Sequence, residues 1–214
     1  MKRYLPFVII IIVLVVALGA GVLMYRSALS QNQTLSQPTA SPSATPATTP
    51  QPGVVLLEEY GDYQCPPCGA MHPELKKLKS EFGDRLRFEF HHFPLAQIHA
   101  HAVEASQAAA AAGLQGRFKE MHDLLYENQK LWSDVPDARP IFVSLARQAG
   151  LNVDQFIRDF DGPRVNAIIS TDVQRGLSLG VNSTPTLFLD GQMMQAENQT
   201  YDYLRAEISR RLHR

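Results

Sequence analysis

Hydrophobic and polar positions divide the chain into three stretches of different character. From Tyr4 to Tyr25 the residues are uncharged and strongly apolar, bounded by Lys2 and Arg3 on one side and Arg26 on the other. A run of that length spans a bilayer as a helix. From Gln31 to Pro52 the chain is Ser, Thr, Ala, Gln and Pro without charge and almost without large apolar side chains, so it cannot bury a core. Beyond it, strand and helix periods alternate. Val54 to Leu57 is a short continuous apolar run, the pattern of a strand buried on both faces. Met71, Leu75, Leu78 and Phe82 then recur at helical spacing up to Gly83, and Leu86, Phe88 and Phe90 alternate as one face of a second strand.

From about residue 97 to 180 the pattern is helical throughout: an alanine-rich stretch to Gly113, then segments at Phe118 to Tyr126, Pro140 to Gly150, Asp154 to Phe160 and Arg164 to Leu179. Thr186 to Leu189 reads as a strand, Asp190-Gly191 as a hairpin turn and Gln192 to Gln195 as its partner. Tyr201, Leu204, Ile208 and Leu212 mark a closing amphipathic helix. The expected order is βαβ, a helical insertion, then ββα. The organisation follows: a transmembrane anchor or cleaved signal peptide over residues 1–26, a linker over 27–52 and one α/β domain over 53–214.

Charge refines the picture at the N-terminus. Two cations precede the apolar run and one follows it, which favours a cytoplasmic N-terminus and an exported body. The net charge of −1 conceals a mildly acidic domain, because residues 1–52 hold three cations and no acid, leaving 17 basic against 21 acidic residues. Apart from Arg210-Arg211 there is no dense basic cluster, which argues against nucleic-acid binding.

The two cysteines of the chain stand together in Cys65-Pro66-Pro67-Cys68, at the start of a helix after a buried strand. A closed zinc site needs four ligands, and no second CxxC or suitably spaced Cys/His pair supplies the other two. A purely structural disulfide closing so short a loop stabilises little. Redox exchange fits the placement: free amides at a helix N-terminus favour a thiolate, making Cys65 the nucleophile and Cys68, one turn further in, the resolving thiol. The redox-active disulfide is then the only cofactor expected, with no metal.

These residues carry a family resemblance. Glu59-Tyr60-Gly61-Asp62-Tyr63-Gln64 before the CPPC, His72-Pro73, Phe93-Pro94-Leu95, Ala111-Ala112-Gly113 and Gly180-Val181-Asn182-Ser183-Thr184-Pro185-Thr186 resemble the DsbA-like thiol oxidoreductases, especially their membrane-anchored, BdbD-like branch. The resemblance covers Val54 to the C-terminus and implies a thioredoxin-like fold with an inserted helical domain. It implies that Pro185 is a cis-proline beside the cysteines, that Thr184 presents its backbone to a bound substrate and lies against the disulfide, and that Pro73 kinks the active-site helix. It also implies that Glu59, six residues before Cys65, relays protons to Cys68. A carboxyl buried under a strand has a raised pKa, although the register leaves Glu58 as the alternative inward acid.

The activity implied is introduction of disulfides into exported proteins with free thiols, followed by re-oxidation by a membrane partner of the DsbB or VKOR kind. Pro66 and Pro67 complicate the direction. Proline before the second cysteine is similar to reducing thioredoxins, so a disulfide reductase or isomerase is the alternative, and a tethered chaperone or peptide-binding module the competing class. Either way the domain is expected outside the cytoplasm, on a single membrane pass. His91, His92, His99 and His101 read as solvated or capping side chains, with no well-spaced carboxylate among them to complete a metal site. Tyr126, Trp132 and Phe142 read as packing. Sequons at Asn32, Asn182 and Asn198 read as coincidental, since a glycan on Asn182 would block the proposed site.

Overall fold

The computed structural model describes residues 53–213; the apolar run and the linker read from the sequence lie outside the described residues. A four-stranded mixed sheet is built from β1 (Val55–Gly61), β2 (Leu86–His92), β3 (Thr186–Leu189) and β4 (Gln192–Met193), in the order β2-β1-β3-β4. β1 and β2 are parallel, with Leu57 opposite Phe88 and Glu59 opposite Phe90, and β3 runs antiparallel to β1 with Leu187 opposite Glu59. The crossover between β1 and β2 is α1 (Pro66–Phe82), which ends where Gly83 takes a positive φ of 56° and returns its N–H to Lys79.

Because β1 lies at the centre and is covered on both sides, its two faces have separate partners. Val55 and Leu57 pack with Leu75, Leu78 and Phe82 of α1 and with Leu204 and Ile208 of α8 (Tyr201–Leu212). Tyr60 faces the other way, with Phe93, Val181 and Phe188. Between β2 and β3 stand α2 (Ala102–Gly113), α3 (Phe118–Glu127), α4 (Gln129–Trp132), α5 (Arg139–Gln148), α6 (Val153–Asp159) and α7 (Pro163–Ser178). Every alanine of α2 is buried, and small side chains on all faces let its neighbours approach closely. Trp132, Phe142, Phe160 and Phe156 contact one another in series through the insertion, edge-on except for the stacked Phe142–Phe160 pair. Phe142 has no exposed surface, so Phe142→Ala is expected to cost about 3–5 kcal/mol, read as a lowered midpoint in denaturant unfolding.

Where α7 crosses the sheet, a Cβ on Gly176 would come within 2.9 Å of both Tyr60 and Phe93, so only glycine allows that approach. The Asp190-Gly191 turn has φ of 48° and 75°, the left-handed pair a two-residue hairpin needs. β4 is shorter than expected: only Met193 and Gln192 pair with β3, and the chain turns away into a 3-10 segment at Ala196–Asn198. Among the described residues no helix is long and apolar enough to cross a membrane.

Candidate active site

The end of β1 delivers the chain into the loop Asp62-Tyr63-Gln64, and α1 begins at once with Pro66 and Pro67 in its first turn and Cys65 as N-cap. Proline is suited to that first turn, where its missing N–H is not needed by the helix. Both cysteines are free thiols in this structure. Both are buried, but Cys65 keeps 5% of its surface exposed and Cys68 none, so the first cysteine lies nearer the surface.

The two sulfurs differ electrostatically for the same reason. A hydrogen bond from the Cys68 side chain, opposed by burial and aided by Thr184 and the Cys68 backbone, brings Cys65 down to about 6. Burial, the hydrogen bond given to Cys65 and the nearby Glu59 carboxyl push Cys68 far up. At neutral pH the arrangement holds one thiolate and one thiol. A pH titration of thiolate ultraviolet absorbance on the reduced protein is expected to show a single transition near pH 6, removed by Cys65→Ser.

Opposite the cysteines, the Thr184–Pro185 peptide bond is cis, as the resemblance implies. The Cys65 thiol reaches the Thr184 carbonyl at 3.3 Å, while Thr184 Oγ1 is buried without a hydrogen-bond partner. Pro73 lies inside α1.

Glu59 is 1% exposed on the α1 side of β1, and its Oε1 has no hydrogen-bond partner. Burial, with a smaller contribution from Cys65, raises its carboxyl to about 8. Glu58 is also buried, but on the other face. Its oxygen meets Arg175 Nη2 at 2.6 Å and His91 Nε2 at 3.3 Å, and the bond to His91, opposed by burial and aided by Arg175, lowers its pKa. The two adjacent acids therefore divide the roles: Glu58 is an ionised anchor and Glu59 a protonated acid beside the dithiol.

The loop around the cysteines is held by residues to which the sequence assigned no role. Asp62, wholly buried, accepts from the N–H groups of Gln64 at 2.8 Å and Leu95 at 2.9 Å and contacts His99 Nδ1 at 2.7 Å. Gln64 accepts from the His101 N–H and donates to the Ser133 carbonyl. From the insertion, Gln129 Nε2 donates to the carbonyls of Tyr63 and Cys65 at 2.7 and 2.9 Å. The quoted motif contained Asp62 and Gln64; nothing in the sequence marks Gln129.

The expectation of solvated or capping histidines is corrected here. His91, His92 and His101 are buried, and His91, His99 and His101 are each paired with a carboxylate from outside the histidine run: Asp172 and Glu58, Asp62, and Glu104. Although burial disfavours its cation, bonds to Asp172 and Glu58 lift His91 to about 9. Beside Pro67, a cleft of about 680 Å³ opens between the first turns of α1 and the start of α8, reaching Met71, Lys77, Thr200 and Tyr201.

A βαβ unit and a ββα unit around a helix-capping dithiol, faced by a cis-proline loop, define a thioredoxin-fold dithiol protein. Comparison with known proteins agrees. The family model described as thioredoxin matches residues 53–210, and the chain belongs to that family. Among solved structures, a thioredoxin-like oxidoreductase from Silicibacter pomeroyi is 25% identical, with a TM-score of 0.58 over 74% of this chain and 88% of that one. BdbD from Bacillus subtilis superposes with a TM-score of 0.67 at 17% identity, over 78% of this chain and 91% of that one, which shows the shared DsbA-like fold. A different kind of relative is the Na(+)/H(+) antiporter NhaA 1 of Mycolicibacterium gilvum, 36% identical over 140 residues. The alignment takes in 64% of this chain, and the chain spans only about a fifth, 22%, of that antiporter's length.

Proposed function

We propose that the protein is an extracytoplasmic thiol–disulfide oxidoreductase that introduces disulfides into exported proteins, and that Cys65 is its exchanging sulfur. The observation that carries the reading is the asymmetry of the dithiol: a less deeply buried, acidic Cys65 beside a wholly buried, weakly acidic Cys68. In the oxidising direction a substrate thiolate attacks Sγ of Cys65 in the Cys65–Cys68 disulfide. The S–S bond breaks, a mixed disulfide forms on Cys65, and Cys68 leaves as a thiolate that takes the Glu59 proton. A second substrate thiolate then attacks the substrate sulfur and releases the Cys65 thiolate. Two electrons pass to the cysteine pair, and a membrane partner of the DsbB or VKOR kind would remove them.

Stabilisation of the Cys65 thiolate favours the reduced form and therefore the oxidant role. A pKa of about 6 lies between the ~3.5 of a strong oxidant and the ~7 of thioredoxin. Equilibration of the full chain in glutathione buffers is accordingly expected to give a potential between the values of about −120 mV and −270 mV that mark DsbA and thioredoxin. A value at or below the thioredoxin limit would replace the oxidase reading with a reductase. Substrate chains are taken to lie along Thr184 and the cleft beside Pro67.

The apolar run in residues 1–26 and the uncharged linker support a single-pass anchor with the domain outside. The antiporter relatives lend this location support by name alone. Ion exchange is not carried over, because the match takes in about a fifth of the antiporter.

A further inference from the structure

We infer that His72, His122 and Asp123 form a binding site for a first-row divalent cation of the zinc class, where the second turn of α1 meets α3. His72 lies in α1 and the adjacent pair His122-Asp123 in α3, so the site joins the cysteine-bearing helix to the insertion. One ligand atom from each of the three can be chosen so that all lie within 4.8 Å of one another. His72 Nε2 and Asp123 Oδ1 are 3.4 Å apart, close to the ~3.3 Å that two bonds of ~2.05 Å subtend at a tetrahedral angle.

Three further observations point to a ligand. His72 is 5% exposed, and its Nε2 is buried without a hydrogen-bond partner. That arrangement leaves a donor atom aimed at the carboxylate but not satisfied by it. His122 Nδ1 lies 3.0 Å from the Tyr63 hydroxyl, so a proton on Nδ1 would be given to Tyr63 and Nε2 left as the metal-binding nitrogen. Such an outer partner is what fixes the tautomer of a metal-bound histidine. Finally, His72, His122 and Asp123 share the wall of a cavity of about 400 Å³ with Phe88 and Phe118, which leaves room for a fourth, exchangeable ligand.

The opposing charges are Lys76 and Lys119. Both pair with Asp123 through Oδ2, at 3.2 and 3.3 Å, so Oδ1 remains directed at His72. Two imidazoles and one carboxylate suit zinc and its first-row neighbours and not calcium or magnesium, which take oxygen ligands.

The test uses the full chain in its disulfide form, so that Cys65 and Cys68 cannot bind metal, stripped with chelator and titrated calorimetrically with Zn²⁺ alone. The expected result is one equivalent taken up with no comparable response to Mg²⁺ or Ca²⁺. His72→Gln and Asp123→Asn should each weaken uptake at least about tenfold, and Lys76→Met should tighten it. Asp123 is partly exposed, so its conservative change preserves the fold if the His72 variant does not. No uptake by the parent chain, or affinity unchanged in a folded Asp123→Asn, would overturn the site.

Discussion

Cys65→Ser is expected to lower thiol–disulfide exchange at least about a thousandfold, measured as recovery of activity by reduced, unfolded ribonuclease in a glutathione buffer. The thiolate is the reacting species, and Cys65 is the less buried and the more acidic of the two cysteines. Serine at pH 7 offers neither the charge nor the sulfur. Cys68→Ser should behave differently: it cannot carry the Cys65–Cys68 disulfide, but its Cys65 thiolate can still attack glutathione disulfide, forming a mixed disulfide on Cys65 and releasing glutathione thiolate, with no Cys68 thiol to displace the adduct. That variant should form mixed disulfides rapidly and release them slowly. Equal losses in the two variants, with no accumulation of adducts, would mean that the roles assigned to the two sulfurs are wrong.

The second large effect is at Glu59. Its carboxyl is raised from 4.5 to about 8 in the folded, reduced protein, chiefly by burial. A raised acid leaves folding stability intact below pH 4.5 and withdraws it progressively as pH rises through 8, because the unfolded chain ionises first. The gap corresponds to an effect on the order of 3–5 kcal/mol. Glu59→Gln should therefore match the parent at pH 4 and exceed it above pH 8, with a melting temperature higher by about 10 °C. Activity should move the opposite way. Without a proton donor near neutrality, the Cys68 step should slow by roughly a hundredfold, and the pH dependence near 8 should vanish from it. A variant with an unchanged pH profile would remove Glu59 from the proton path while leaving the stability argument intact.

Element order was readable because apolar periodicity survives in the sequence: Leu75, Leu78 and Phe82 on α1, and Thr186 to Leu189 on β3, each pack where their spacing implies. The cysteine pair and the Thr184-Pro185 loop were readable as motifs. What periodicity could not decide was the register of β1, since a strand covered on both faces buries successive residues alike. Glu58 and Glu59 are both under 5% exposed, and only the partners on each face, Arg175 and His91 against the dithiol, separate anchor from acid. The histidines were misjudged for a similar reason. His91 has its acids at Glu58 on β1 and Asp172 on α7, which are distant in sequence and adjacent only once α7 has packed on the sheet. Gln129 is another such case, a single exposed-type residue in the insertion whose amide secures two carbonyls of the cysteine loop.

The division of labour in the dithiol is tested most directly by trapping. Full-length Cys68→Ser protein, incubated with a reduced, unfolded substrate and mild oxidant and then acid-quenched, should yield a mixed disulfide that peptide mass spectrometry maps to Cys65. If no adduct forms at Cys65 while the substrate thiols are consumed at the parent rate, exchange does not pass through this sulfur.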